Sequence, residues 1–249
     1  MPTQLNEVPE ALLSDFDIVE DSGLFVDPQQ RLLDSLVKDP RDVVYTPHNG
    51  GHWLVTSHEL GREILSNAEL FGSFPIGIPA NMAQRPRLIP LESDASEHRR
   101  YRRLLLPIFE PTAVDRLRMG AETLAAEVLD KVLPTGEFDF LWKVAKPISM
   151  GLFVRQLGLE PERLDEFYAW ETGFYRAPSM EERVACGEKI GGYLFEVVRR
   201  HVEQPSDDIV GMLLDVEVEG EKLALEEVHA ICYLLFLASI DTVATMLSF

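Results

Sequence analysis

A chain of 249 residues, 46% of them hydrophobic, carries enough apolar material for a substantial core in one large domain or two smaller ones. Its 42 acidic residues against 23 basic ones give a net charge of −19, which repels a phosphate backbone and excludes broad nucleic-acid binding. The two cysteines, Cys186 and Cys232, lie far apart and match no metal spacing, so they point to a reducing compartment with neither a disulfide framework nor a bound metal.

Residues 1–28 are acidic and irregular, with neither the basic start nor the apolar run of a signal peptide. Gln29 to Lys38 predicts a short amphipathic helix with Leu32, Leu33, Leu36 and Val37 on one side. Two β-like runs, 42–46 and 52–56, flank Pro47-His-Asn-Gly-Gly51 and predict a hairpin. Ser57 is placed to cap a helix through about Ser66. Glycines and prolines make Phe71 to Pro90 a long loop, a feature often tied to function. Asp94-Ala-Ser-Glu97 has a capping-box pattern and opens a helix through about Ile108. Pro111 starts a long helix to about Leu133, and Gly136 to Asp139 suggests a short strand. Helices follow near 140–158, 161–176, 179–203 and 207–214, punctuated by glycine and proline. Val216 to Leu223 reads as a tight hairpin, and Glu226 begins the last helix. With no repeat or linker, residues 1–249 read as one mainly α domain with small β hairpins.

The last helix is nearly all apolar, as a helix buried on most sides would be. Its longest uninterrupted apolar run, Ala230 to Ala238, is too short for a membrane span, and Asp241 falls within any longer one. The chain is therefore expected to be soluble and cytoplasmic, without a membrane partner. Asp241-Thr242 forms a polar notch at mid-length. Burying that carboxylate costs roughly several kcal/mol unless it is paired or wet. Thr242 can bond back to a carbonyl one turn earlier and bend the axis. Ala238 and Thr242 share a face, with Thr245 a further turn on beside Asp241. A core helix with one satisfied Asp is the plain structural alternative. No glycine, proline or basic last turn precedes Phe249, so the sequence reads as a piece of a longer protein.

Six of the 23 basic residues lie between Arg85 and Arg103: Arg85, Arg87, Arg99, Arg100, Arg102 and Arg103. His98 and Arg102 stand one turn apart beside the apolar stripe Tyr101, Leu104, Leu105 and Ile108. There they can hold a carboxylate at the edge of an apolar pocket, because the guanidinium fork binds carboxylates bidentately. A solvated face paired with nearby acids and a docking patch for an acidic partner are the other readings. Cys186 reads as an inert helical thiol, His58-Glu59 lacks a second His at metal spacing, and no phosphate loop or nucleophile elbow occurs.

Three stretches resemble the cytochromes P450, the haem-thiolate monooxygenases, of the soluble bacterial, camphor-hydroxylase type. Ala238-Ser-Ile-Asp-Thr242 resembles the central-helix motif Ala/Gly-Gly-x-Asp/Glu-Thr. Glu97-His-Arg-Arg-Tyr-Arg-Arg-Leu104, running into Phe109-Glu-Pro111, resembles E-H-x-x-x-R-R-L followed by F-x-P. Gly51-His-Trp-Leu-Val-Thr56 and Phe71-Gly-Ser-Phe74 resemble the early strand and the loop after it. The resemblance implies the N-terminal portion of that fold, through its central long helix, and a haem b cofactor. It implies that His98 and Arg102 hold a haem propionate, that Asp241 and Thr242 help deliver protons to dioxygen, and that Ala238 lies near substrate. It further implies an apolar small-molecule substrate, O2, and an acidic ferredoxin docking at Arg99, Arg100 and Arg103.

Two departures stand out. Ser239 occupies the usual glycine position, where a side chain can narrow the oxygen groove. The family's Glu-x-x-Arg pair and Phe-x-x-Gly-x-x-x-Cys-x-Gly loop do not occur in these 249 residues, so the axial thiolate is not supplied by this stretch. The expected function is monooxygenase chemistry by the whole protein, with this stretch inactive alone. The alternative is a haem-free helical scaffold or binding protein derived from the same fold.

Overall fold

The computed structural model describes residues 8–79, 85–218 and 220–249. Residues 1–7 of the acidic start, 80–84 of the long loop and Glu219 of the second hairpin lie outside that description. The chain forms two compact units, residues 1–82 and 83–249.

In the first unit, Val43–Thr46 (β1) and His52–Val55 (β2) pair antiparallel, with Val44 opposite Leu54. The turn between them passes through positive φ at Asn49, Gly50 and Gly51. Gly51 has no substitute, since a Cβ there would collide with the Tyr45 hydroxyl. Phe16, Val44 and Leu54 form a small core, flanked by Ile18, Leu24, Leu32 and Leu36. The predicted 29–38 helix is present but changes pitch, from an α turn at Pro28–Leu32 (α1) to a π turn at Leu33–Val37. Leu32 and Leu36 join the core, while Val37 of the predicted apolar side is exposed. Ser57 caps His58–Ser66 (α2), its hydroxyl accepting the Leu60 N–H. Residues 71–79 contain no helix or strand.

The second unit is helical: Ala95–Leu105 (α3), Pro111–Val132 (α4), Lys146–Gln156 (α5), Leu164–Arg176 (α6), Met180–Glu203 (α7), Ile209–Asp215 (α8) and Leu225–Ser248 (α9). Glu217–Val218 (β3) and Glu221–Lys222 (β4) make the second hairpin. The strand expected at 136–139 does not form. Residues 137–139 carry no ladder, and Phe138 is held instead by packing against Leu124, Val128 and Val144. The core runs along α9, where Phe236 meets Phe153 of α5 and Phe167 of α6 edge-on at ring separations of 6.1 and 5.8 Å. By length and composition α9 is apolar enough to cross a membrane. Val228, Ile231, Tyr233, Phe236 and Ile240 are nonetheless all buried against protein, as in the core helix of a globular fold.

Candidate functional site

Helix α3 forms where the sequence places it, with Tyr101, Leu104 and Leu105 buried. The capping box does not form. Asp94 makes no side-chain cap bond, and Glu97 accepts both Arg87 guanidinium nitrogens at 2.9 and 2.7 Å. The sequence pattern was right about the helix start and wrong about the bonds, because Arg87 offers Glu97 a charge-assisted pair stronger than a backbone N–H.

The structure divides the basic cluster in two. Arg85 forks onto the fully buried Glu92 at 2.8 and 2.7 Å, which also accepts the Leu88 N–H at 2.7 Å. Arg87 is taken by Glu97 and the Glu92 carbonyl. Arg100 donates to Glu227 at 2.7 Å, and Tyr101 donates to the same carboxylate oxygen at 2.6 Å. Arg100 is thus engaged within the chain, tying α3 to Glu227 while its side chain stays partly exposed. His98, Arg99, Arg102 and Arg103 remain exposed, and none of their side chains forms a hydrogen bond or ion pair with another described residue. The reading of bases paired with nearby acids thus describes Arg85, Arg87 and Arg100 and not the other three arginines.

Glu227 joins α3 to the first turn of α9, since its other oxygen accepts the Ala224 N–H at 2.7 Å. Burial pushes its carboxyl up, but the bonds from Tyr101, Ala224 and Arg100 win and hold it below the ordinary range. Burial, reinforced by that bond, pushes the Tyr101 phenol up to about 12. Helix geometry then places Ala238 about 17 Å and Thr242 about 22 Å along the axis, at roughly 20° and 60° from the azimuth of Glu227. The notch thus lies on the side of α9 from which α3 approaches, and Ala238 and Thr242 are exposed there.

At the notch, hydroxyls bond to successive carbonyls. Thr242 Oγ1 donates to the Ala238 carbonyl at 2.7 Å, the back-bond its position predicts. Ser239 Oγ turns back to the Phe236 carbonyl at 3.1 Å. Ser149 of α5 reaches across to the Ser239 carbonyl at 2.6 Å. Asp241 is not enclosed as a core Asp would be. Its side chain is 41% exposed and Oδ1 lies 3.9 Å from Arg176 Nη2. Water and a cation therefore answer the desolvation problem. Behind it, Lys146 and Glu171 form a buried pair at 3.6 Å, the ammonium also lying 4.1 Å from the centre of the Trp142 ring. Burial pushes the Glu171 carboxyl up; Lys146 opposes this and Asp241 adds to it. Ser149, Arg176 and the Lys146–Glu171 pair escaped sequence reasoning, because nothing in their local spacing links them to Asp241. Cys232 is buried, its thiol pushed up to about 12 by burial, which makes it a poor nucleophile. Cys186 is half-buried rather than fully enclosed.

These groups suit one face of a flat apolar cofactor bearing carboxylates. Two unpartnered cationic or imidazole side chains stand on α3, and a small-residue notch opens on the same side of α9.

No protein-family model matches the chain. It is 25% identical over 252 residues to a probable cytochrome P450 127A1 of Sinorhizobium fredii, covering 98% of this chain and 61% of that protein. It is 27% identical over 207 residues to a steroid C26-monooxygenase of Rhodococcus jostii, covering 78% of this chain and 44% of that one. The crystal structure of CYP101J2 superposes with a TM-score of 0.76 at 26% identity, over 98% of this chain and 61% of that chain. The fold is that of a cytochrome P450. The chain spans less than two thirds of each of these P450 relatives.

Proposed function

We propose that the whole protein is a haem-dependent monooxygenase that hydroxylates an apolar small molecule with O2, and that this chain supplies the propionate anchor and the oxygen-side face of its site. The observation that carries the reading is the pairing of unengaged His98 and Arg102 on α3 with the exposed Ala238–Thr242 face, on the side of α9 that α3 approaches. Resemblance to P450 monooxygenases over nearly the whole chain supports it.

Haem b, when bound, supplies the iron at which O2 is activated and, with an axial thiolate, favours O–O cleavage. Arg102 and His98 would hold its carboxylates, for which the planar guanidinium fork of Arg102 is suited. Ala238 has only a methyl side chain and leaves room for substrate beside the notch. Thr242 Oγ1 spends its own proton on the Ala238 carbonyl, so its lone pairs are oriented to accept a hydrogen bond from the notch side. Asp241, half exposed beside Arg176, exchanges protons with solvent at Oδ1 and relays them toward the Thr242 hydroxyl. Arg99 and Arg103, exposed on an otherwise acidic chain, are the docking contacts for an acidic ferredoxin. The protein works as a soluble cytoplasmic enzyme.

The test is the whole protein, purified and reduced under carbon monoxide. A stoichiometric haem with the red-shifted Soret band of thiolate ligation is expected. A purified protein that takes up no haem would instead establish the helical-scaffold reading.

A further inference from the structure

All four carbonyls from Phe236 to Ser239 in α9 accept an additional hydroxyl, Leu237 taking that of Tyr175 from α6 at 3.5 Å. Ser239 Oγ donates to Phe236 at 3.1 Å, Thr242 Oγ1 to Ala238 at 2.7 Å and Ser149 Oγ to Ser239 at 2.6 Å. Each carbonyl carries two lone pairs, so the hydroxyl adds to the ladder bond from the amide four residues on and ties the backbone here to side chains. Two of the four hydroxyls belong to α9 and move with it, and the weakest, from Tyr175, comes from α6. Ser149 belongs to α5, is 4% exposed, and also lies 3.4 Å from the Ile240 carbonyl. A buried serine in a helix ordinarily bonds back to its own helix; this one reaches the neighbouring one.

We infer that Ser149 is a positioning residue that fixes the backbone of α9 at the notch from α5, and so sets where Asp241 and Thr242 point. It explains how Ser239 is accommodated where the family motif has glycine. The Ser239 hydroxyl turns back along the helix to Phe236, which leaves its carbonyl for Ser149. The functional consequence rests on the proton-delivery reading of Asp241 and Thr242 given above.

The test compares Ser149→Ala and Ser149→Thr in the whole protein, with hydrogen exchange as the first readout. The amide of Val243, which bonds to the Ser239 carbonyl in the helical ladder, and its neighbour Ala244 should exchange roughly two- to tenfold faster in S149A, the population ratio equivalent to one net hydrogen bond. Residues 228–235 should be unchanged, and S149T, which keeps the hydroxyl, should restore protection. In the haem-loaded enzyme, S149A should raise peroxide formed per reducing equivalent with substrate KM little changed. Unchanged exchange in S149A or uniform acceleration along α9 would overturn the positioning role, and local acceleration with coupling intact would overturn its functional consequence. Thr242→Ala run alongside separates the two claims. Intact coupling in T242A defeats the proton-delivery reading, while the exchange result still decides whether Ser149 holds the helix.

Discussion

The two halves of α9 are both mostly apolar but differently used. From Val228 to Leu237 the helix is enclosed, with Ile231, Tyr233 and Phe236 fully buried and Glu227 locked to α3. From Ala238 onward apolar residues alternate with Ser, Asp and Thr, and Val243, Met246 and Leu247 are exposed, Met246 by 76%. The first half is apolar because it is core. Burial among the described residues does not account for the second half, whose open face carries the Asp241–Thr242 notch and suits a flat apolar partner.

The comparison breaks most clearly with Phe236→Ala, which removes a ring wedged between Phe153 and Phe167 and should lower stability by about 3–5 kcal/mol in urea unfolding. Met246→Ala, on the same helix, should change it by no more than about 0.5 kcal/mol. If both lose alike, the halves do not differ as described. Next in size is Glu227→Gln, with an expected loss of about 1–3 kcal/mol near neutral pH. Because the folded carboxyl is held below its ordinary value of 4.5, its bonds contribute fully above that value and are lost as pH falls through the folded pKa. The wild type should therefore lose stability on acidification below about pH 4.5 more steeply than E227Q; parallel acid limbs would remove Glu227 as the lock. Smaller effects on folding are expected at the exposed groups, where the readout is functional. Arg102→Ala should leave the unfolding midpoint nearly unchanged but speed loss of haem on gel filtration. Retained haem would count against the propionate role. Thr242→Ala should shift stability least of all and divert reducing equivalents to peroxide. Tightly coupled turnover in that variant would remove the functional distinction between the halves.

Much of this was legible in the chain. Helical periodicity located Tyr101, Leu104 and Leu105 on one buried stripe of α3, and proline and glycine marked most helix ends. The Thr242 back-bond followed from its position alone. The 136–139 segment misled because alternation describes one strand, whereas a strand needs a partner, and Phe138 found a hydrophobic cluster instead. Glu97 misled because its competing partner, Arg87, sits upstream of the helix it was expected to cap.

The sequence by itself determined the helical succession, the one-turn spacing of His98 and Arg102, and the polar interruption in an apolar helix, since each depends on neighbours within a turn or two. Only the tertiary structure decided which arginines are spent on structure and which stay open, that Asp241 reaches solvent, and that Ser149 bonds to α9. Those outcomes rest on partners such as Glu227, 127 residues from Arg100, and the Ser239 carbonyl, 90 residues from Ser149. Local periodicity carries no information about such separations, because a charge or a hydroxyl is committed only when packing brings its partner within hydrogen-bond reach.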